Sequence, residues 1–121
     1  MKLTLYIALF IIISCSSKKS AQIVFEKTEI NFKIKKGAVF IAKYAFNNSG
    51  TDSLKIISAN GDCSCTEIEF SKTPIAPNSK GVINVTYNSA KDTIGLVSKA
   101  ILIETNTDPI LNTLFLKGTI E

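Results

Sequence analysis

Three residue types that often carry function are missing from this sequence of 121 residues: histidine, arginine and tryptophan. The lack of histidine excludes Ser-His-Asp and Cys-His catalysis, His-ligated zinc or haem, and a histidine-based pH switch. All 14 basic residues are therefore lysines, and they are spread along the chain. Nucleic-acid binders usually carry a basic stripe with arginine and interleaved aromatic residues. The sequence thus predicts no nucleic-acid partner.

The N-terminal residues have the organisation of an exported lipoprotein precursor. Met1-Lys2 precedes an apolar run, Leu3–Ile13, which is interrupted only by Thr4. This run is shorter than the roughly 20 residues of a membrane-spanning helix, but it fits a signal-peptide core. The following Ile12-Ile13-Ser14-Cys15 resembles the bacterial lipobox. That resemblance implies cleavage before Cys15, a thioether-linked diacylglycerol on its sulfur, and a fatty acid such as palmitate on its new amino group.

The lipobox divides the chain into three predicted parts. They are a signal peptide over residues 1–14, a lipidated Cys15 with a flexible tether over 15–21, and a folded domain over 22–121. Two or more acyl chains hold a protein firmly on a membrane, so we expect the mature protein to be anchored without crossing it. Ser16 follows the cysteine, so the aspartate that signals inner-membrane retention is missing. We therefore expect a cell-envelope location, on the outer membrane if the cell is Gram-negative.

Beyond residue 21 the sequence consists of short β-rich runs separated by turn formers, and no stretch has helical periodicity with caps at both ends. Alternation places Phe40, Ala42 and Tyr44 on one face, and Tyr44 and Tyr87 are both expected in the core. The predicted strands are Ile23–Glu26, Ile30–Lys35, Val39–Phe46, Leu54–Ala59, Thr66–Phe70, Val82–Tyr87, Ser98–Thr105 and Thr113–Ile120. This pattern predicts an all-β fold, a single immunoglobulin-like antiparallel β-sandwich of seven or eight short strands.

Four short pieces between Phe46 and Ile120 resemble one protein family in their order and spacing. They are Phe46-Asn47-Asn48-Ser49-Gly50 with Leu54-Lys55-Ile56, then Cys63-Ser64-Cys65-Thr66, then Ile75-Ala76-Pro77 through Gly81 to Ile83–Tyr87, and finally Leu114–Gly118. The family is the bacterial domain of unknown function 1573 (DUF1573), related to the Hydin-like (ASH) immunoglobulin-type domains. Ser64 and Asn78 stand where the family usually has glycine, and asparagine tolerates a left-handed backbone. The resemblance implies the sandwich fold, and it implies no chemistry because the family's function is unassigned.

Cys63 and Cys65 remain once Cys15 is lipidated. Residues two positions apart in an extended strand are separated by roughly 6.5–7 Å. The β-carbons of a disulfide lie about 3.5–4.5 Å apart, so a bridge needs a turn or bulge. Asn60-Gly61-Asp62, just upstream, could start one.

Three interpretations of this cysteine pair stay open. The cysteines can be small core residues, with or without a local bridge. They can form an easily reduced disulfide used in thiol exchange. They can also bind Cu(I) as two thiolates. Zinc is less suited, because it needs four ligands and the spacing of Asp62 and Glu67 is not diagnostic.

No catalytic arrangement accompanies these features, and we expect a protein that is not an enzyme. Glu67 and Glu69 share a strand face and are expected to be solvated; no phosphate loop or nucleophile elbow is present. The predicted function is a non-enzymatic binding or scaffold module that contacts an envelope protein through Asn47–Ser53, Asn60–Ser64 or an open sheet edge. The alternative is a thiol-redox or Cu(I)-binding protein using Cys63 and Cys65. Apart from the lipid, the sequence identifies no cofactor and no small-molecule substrate.

Overall fold

The structure of the chain is a computed structural model that describes residues 18–121 together with Ile11. Residues 18–121 form eight β-strands and a 3-10 helix, Ser89–Lys91. The strands are β1 (Ile23–Phe25), β2 (Glu29–Ile34), β3 (Val39–Asn48), β4 (Ile56–Gly61), β5 (Thr66–Glu69), β6 (Lys80–Asn88), β7 (Gly95–Thr105) and β8 (Leu111–Ile120). The predicted signal peptide and Cys15 lie outside the described residues. Along the described part of the chain, no helix has the length and apolar character that crossing a bilayer demands.

The strands form two four-stranded sheets. Sheet A has the strand order β1-β3-β6-β5, and sheet B has the order β2-β8-β7-β4. Neighbouring strands are antiparallel, as predicted, except that β2 runs parallel to β8 from Glu29↔Phe115 to Ile34↔Ile120. This difference arises because the chain passes from sheet A to sheet B over residues 26–28 without reversing, so β2 keeps the direction of β1.

The core lies between the sheets and is built from the side chains that alternation places inward. Tyr44 and Tyr87 are fully buried, which confirms their predicted core positions. The Tyr44 hydroxyl donates to the Phe115 carbonyl oxygen at 2.7 Å and so connects the two sheets. Among the described residues, the other fully buried apolar side chains are Ala42, Leu54, Ile83, Val85, Ile101, Ile103, Leu114, Leu116 and Ile120. Each large aliphatic side chain buried in this way contributes about 1.5–3 kcal/mol.

The strand boundaries differ from the predicted ones at several ends. Leu54 precedes β4 and forms an isolated bridge with Ile75, in which the two residues exchange backbone hydrogen bonds of 2.9 and 2.8 Å. In β7 and β8, pairing continues past the predicted starts to Gly95 and Leu111. Asn78 has a φ of 62°, the left-handed backbone predicted for it.

Strand β3 spans the sandwich and defines its two ends. Its ten residues, at about 3.4 Å each, extend for roughly 30 Å. At the end that we call the N-terminal end, the Asn48 N–H donates to the Ser79 carbonyl and the Ser49 N–H to the Gln22 carbonyl. At the opposite end, which we call the cysteine end, lie the turn from β4 to β5, the 3-10 helix and Glu121.

Within residues 18–121, hydrogen bonds to the rest of the sandwich begin at Ser20, two residues before the predicted domain start. The Ser20 carbonyl accepts hydrogen bonds from the N–H groups of Thr51 (2.8 Å) and Asp52 (3.3 Å), and Ala21 is buried. Gly50 permits this close approach, since a Cβ there would collide with the backbone of residues 20–22. The flexible tether predicted through residue 21 therefore differs from the structure, in which residues 20 and 21 are bound to the sandwich.

Candidate functional site

Cys63 and Cys65 lie in the turn that joins β4 to β5. Strand β4 continues through Gly61, so the reversal falls on residues 62–65, slightly later than the predicted Asn60-Gly61-Asp62 turn. The Asp62 carboxylate accepts a hydrogen bond from the Ala100 N–H at 3.1 Å, and the Asp62 N–H donates to the Ala100 carbonyl at 3.2 Å. The turn is thereby attached to β7.

The two cysteines are joined in a disulfide, with their Cα atoms 5.3 Å apart. This separation is shorter than the roughly 6.5–7 Å of an extended i, i+2 pair, so the turn supplies the bend that a bridge needs. Cys65 is buried against the core, whereas Cys63 is half-buried. The Cys65 carbonyl accepts the Asn88 N–H at 2.9 Å, which attaches this side of the turn to β6. Of the two sulfur-bearing residues, Cys63 is therefore the more open to solvent.

A polar cluster of Tyr87, Asp92 and Lys99 lies at the same end of the sandwich. The Tyr87 hydroxyl donates to the Asp92 carboxylate, and the Lys99 amino group lies 3.1 Å from that carboxylate. The hydrogen bond from Tyr87, assisted by Lys99, lowers the pKa of Asp92. Burial, together with the neighbouring carboxylate, raises the pKa of Tyr87. Because these groups satisfy one another, the cluster fixes the loop after β6.

The two loops predicted as contact sites are not brought together. Asn47–Ser53 lies at the N-terminal end, where Thr51 contacts Ser20. Asn60–Ser64 lies at the cysteine end, about 30 Å away along the strands. A single small contact area therefore cannot include both loops.

Asn48 organises the N-terminal end, a role that the turn signal in the sequence does not reveal. Its side chain is fully buried, and its amide nitrogen donates to the carbonyls of Asp52 (2.7 Å) and Ile75 (3.0 Å). Its amide oxygen accepts from the N–H groups of Gly50 (3.0 Å) and Gln22 (3.3 Å). Three chain segments, at residues 22, 50–52 and 75, thus meet on one side chain. The available signal was the alternation itself, since Asn48 follows Phe46 on the inward face of β3.

Glu67 and Glu69 are both exposed on β5, as predicted. Among the residues that the structure describes, no three side chains of histidine, cysteine, aspartate or glutamate are grouped so that they could hold a metal ion. Coordination of Cu(I) by Cys63 and Cys65 would first require reduction of their disulfide, because thiolates are the ligands.

Comparison with protein families gives one match. The model of the family described as protein of unknown function DUF1573 matches residues 23–120. Among curated proteins, no sequence matches.

Solved structures give several similar folds. A protein of unknown function from Porphyromonas gingivalis W83 has a TM-score of 0.73 and 15% identity, covering 84% of this chain and 47% of that one. The ASH/PapD-like domain 7 of human CEP192 has a TM-score of 0.64 and 11% identity, covering 89% and 91%. The secreted serine protease VesC from Vibrio cholerae has a TM-score of 0.61 and 9% identity, covering 81% and 23%. This chain thus spans about half of the P. gingivalis protein, and at these identities the similarity shows the immunoglobulin-like fold alone.

Proposed function

This chain belongs to the DUF1573 family of proteins of unknown function, and from that premise we propose that it is a lipid-anchored, non-enzymatic binding module of the cell envelope. The observation that carries the proposal is the lipobox ending at Cys15, only five positions before Ser20. A chain of that length reaches at most about 17 Å when fully extended. The anchor would therefore hold the N-terminal end of the sandwich near the membrane and direct the cysteine end away from it.

The segment between anchor and sandwich also suits a membrane surface. Lys18 and Lys19 lie within it and are exposed. Each lysine near an anionic membrane surface contributes about 1 kcal/mol of attraction. We propose an outer-membrane location if the cell is Gram-negative, because Ser16 replaces the retention aspartate.

The chemistry of the sandwich supports binding rather than catalysis. Its polar groups at Asn48 and at Asp92 are engaged in internal hydrogen bonds. VesC is a serine protease, but the similar region covers less than a quarter of that chain. This chain has no histidine from which a Ser-His-Asp triad could be built.

Cys15→Ser tests the anchor. We expect the unchanged protein to incorporate radiolabelled palmitate and to fractionate with membranes, and the variant to take up no label and remain an uncleaved precursor, because serine cannot form the thioether. Ser16→Ala, one position away, is the matched control and should be labelled normally. Normal labelling of Cys15→Ser, or an intact precursor of the unchanged protein in the cytosol, would contradict the anchor.

The second candidate function is thiol–disulfide exchange at Cys63 and Cys65. The half-buried position of Cys63 in the turn favours it. A partner thiolate would attack one sulfur, form a mixed disulfide and release the other cysteine as a thiolate. A second thiol of the partner would then attack the partner's own sulfur in the mixed disulfide and release the bound cysteine. The partner is then oxidised to a disulfide, and Cys63 and Cys65 are both reduced. The three-residue loop closed by this disulfide adds only about 1.6 kcal/mol to the stability of the fold, so its reduction would cost the fold little stability.

Thiol trapping with mass spectrometry separates the two functions. For the binding module, we expect both cysteines to resist alkylation in cells until the protein is unfolded and reduced, and the reduced protein to bind no added Cu(I). The double variant Cys63→Ser/Cys65→Ser gives the background levels of alkylation and of bound copper. Substantial alkylation of Cys63 in untreated cells would favour exchange, and stoichiometric Cu(I) on the reduced protein would favour metal binding.

A further inference from the structure

We propose that copies of this chain associate side by side in one orientation, with β5 of one copy pairing in parallel with β3 of the next. The inference deepens the proposed function by naming a second copy as a binding partner. It rests on the proposed function only for the orientation of the copies at a membrane.

One edge of sheet A is open over half of its length. Strand β1 covers only Phe46–Asn48 of β3, and the last hydrogen bond between them runs from the Glu26 N–H to the Ala45 carbonyl at 2.9 Å. Backbone groups alternate in direction along a strand, so those of Val39, Ile41 and Lys43 point to the same side as those of Ala45. On that side of β3, no strand within residues 18–121 pairs with these backbone groups. Such an edge can accept another strand.

The opposite edge of sheet A is the four-residue strand β5. In the described part of the chain, β6 is its only hydrogen-bonded strand neighbour. The Cys65 carbonyl points to β6, where it accepts the Asn88 N–H. By alternation, the backbone groups of Thr66 and Ile68 point away from β6 and are free to pair.

The two edges match in position along the sheet. Strand β6 provides the common reference, because Tyr87 pairs with both Thr66 and Phe40, and Asn84 pairs with both Glu69 and Lys43. Strand β5 therefore lies level with the part of β3 that β1 leaves uncovered. Both strands are antiparallel to β6, so they run in the same direction. A copy displaced sideways, without rotation, would bring its β5 onto this open part of β3.

The faces also match, provided that the new pair is parallel. In a parallel pair, a residue whose backbone groups point to the partner lies opposite one whose groups point away. Ile68 has free backbone groups and a side chain on the inner face, and it would lie opposite the buried Ala42, whose groups bond to β6. In the same register Glu67 lies opposite Ile41 and Glu69 opposite Lys43. An antiparallel arrangement would place inner and outer side chains on the same face.

The charges at the two edges are opposite in sign. The chain bordering the open edge of β3, residues 26–28 and 35–43, carries four lysines and one glutamate, which gives 4 − 1 = +3. Strand β5 carries Glu67 and Glu69 and no lysine. Pairing two β3 edges would oppose two basic segments, whereas pairing β5 with β3 joins acidic to basic. Charge therefore selects the heterologous contact, which can continue from copy to copy.

The contact itself can be tested by zero-length crosslinking. Full-length chain, purified in a non-ionic detergent, is mixed in equal amounts with its ¹⁵N-labelled form and treated with a carbodiimide, which couples amines to carboxylates in contact. We expect Lys43–Glu69 links in which one peptide is labelled and the other is not. Links that always join peptides of one isotope would come from within a chain and would overturn the proposal.

Variants test the backbone pairing and the charges. Ile41→Pro removes an outward N–H without touching the bonds to β6, and should lower the association constant in sedimentation about fivefold or more. Ile41→Thr keeps that N–H and should change it much less, while circular dichroism verifies the fold of both.

Lys43→Glu or Glu69→Lys should each weaken association about tenfold, and the double exchange should restore it. Lys55→Glu, at an exposed position just before β4 of sheet B, is the matched control. Failure of the double exchange to restore association would overturn the register. Mixed-isotope Lys43–Glu69 links formed by the unlipidated Cys15→Ser chain in the same detergent would uphold this inference even if the lipid anchor failed.

Discussion

Asn48→Ala is expected to lower the free energy of unfolding by about 4 kcal/mol. The substitution leaves the carbonyls of Asp52 and Ile75 and the N–H groups of Gly50 and Gln22 without their side-chain partner. Each buried polar group left unsatisfied costs about 1–3 kcal/mol, and water entering the vacated space recovers part of this. Urea unfolding of the Cys15→Ser chain, followed by circular dichroism, measures the loss.

Asn47→Ala is the matched control for this experiment. Asn47 is half-buried and lies on the other face of β3, so we expect a change within about 0.5 kcal/mol. Asn48→Asp keeps the oxygen that accepts from Gly50 and Gln22, but it points a carboxylate oxygen at the carbonyls of Asp52 and Ile75, so it should cost at least as much as Asn48→Ala. A loss below about 1 kcal/mol in Asn48→Ala would show that Asn48 does not hold the loops at this end together.

Gly118→Ala is expected to lower the free energy of unfolding by about 3 kcal/mol. Gly118 pairs with Phe32 in the parallel β2–β8 ladder. A Cβ at this position would lie 2.5 Å from Cγ and 2.6 Å from Cδ1 of the Phe32 ring and would also collide with the Phe32 carbonyl oxygen. Because that oxygen belongs to the backbone, β2 itself would have to move away from β8. Urea unfolding and the loss of near-ultraviolet aromatic signals report the change.

Gly37→Ala separates collision from backbone strain. Gly37 has a φ of 92° and no atom near its virtual Cβ, so alanine there should cost only the backbone strain, about 1–2 kcal/mol. Phe32→Leu placed together with Gly118→Ala should recover part of the loss, since it removes the ring but not the carbonyl. Independent, additive losses from those two substitutions would contradict a direct collision.

Local pattern predicted much of the fold because one sheet face is buried. On β3 and β6, the period-2 alternation placed Tyr44 and Tyr87 in the core, where they lie. The same alternation could not give the parallel pairing of β2 with β8, because strand direction depends on how residues 26–28 cross between sheets. Nor could it give the attachment of Ser20, which depends on backbone hydrogen bonds to a loop distant in sequence.

The candidate site was predictable only in part. Spacing required a turn before Cys63 and Cys65 could be bridged, and the structure has a turn there. The turn begins later than predicted because Gly61 still belongs to β4 and pairs with Ile101 of β7. The loops Asn47–Ser53 and Asn60–Ser64 lie at opposite ends because of the length and direction of the strands. The residues of the loops themselves do not indicate either property. Whether the cysteine pair exchanges electrons or only packs is decided by its partners, and these are not encoded in its spacing.

The parallel β2–β8 ladder has a mechanical consequence. Ser20 and Glu121 lie at opposite ends of the sandwich, so tension between them would pull β2 and β8 past each other along their length. The paired residues from Glu29↔Phe115 to Ile34↔Ile120 would then be loaded together in shear, rather than opened one after another as in an unzipping hairpin. A force that pulls on Glu121 while the N-terminal end of the sandwich is held would therefore be opposed by all the β2–β8 hydrogen bonds at once.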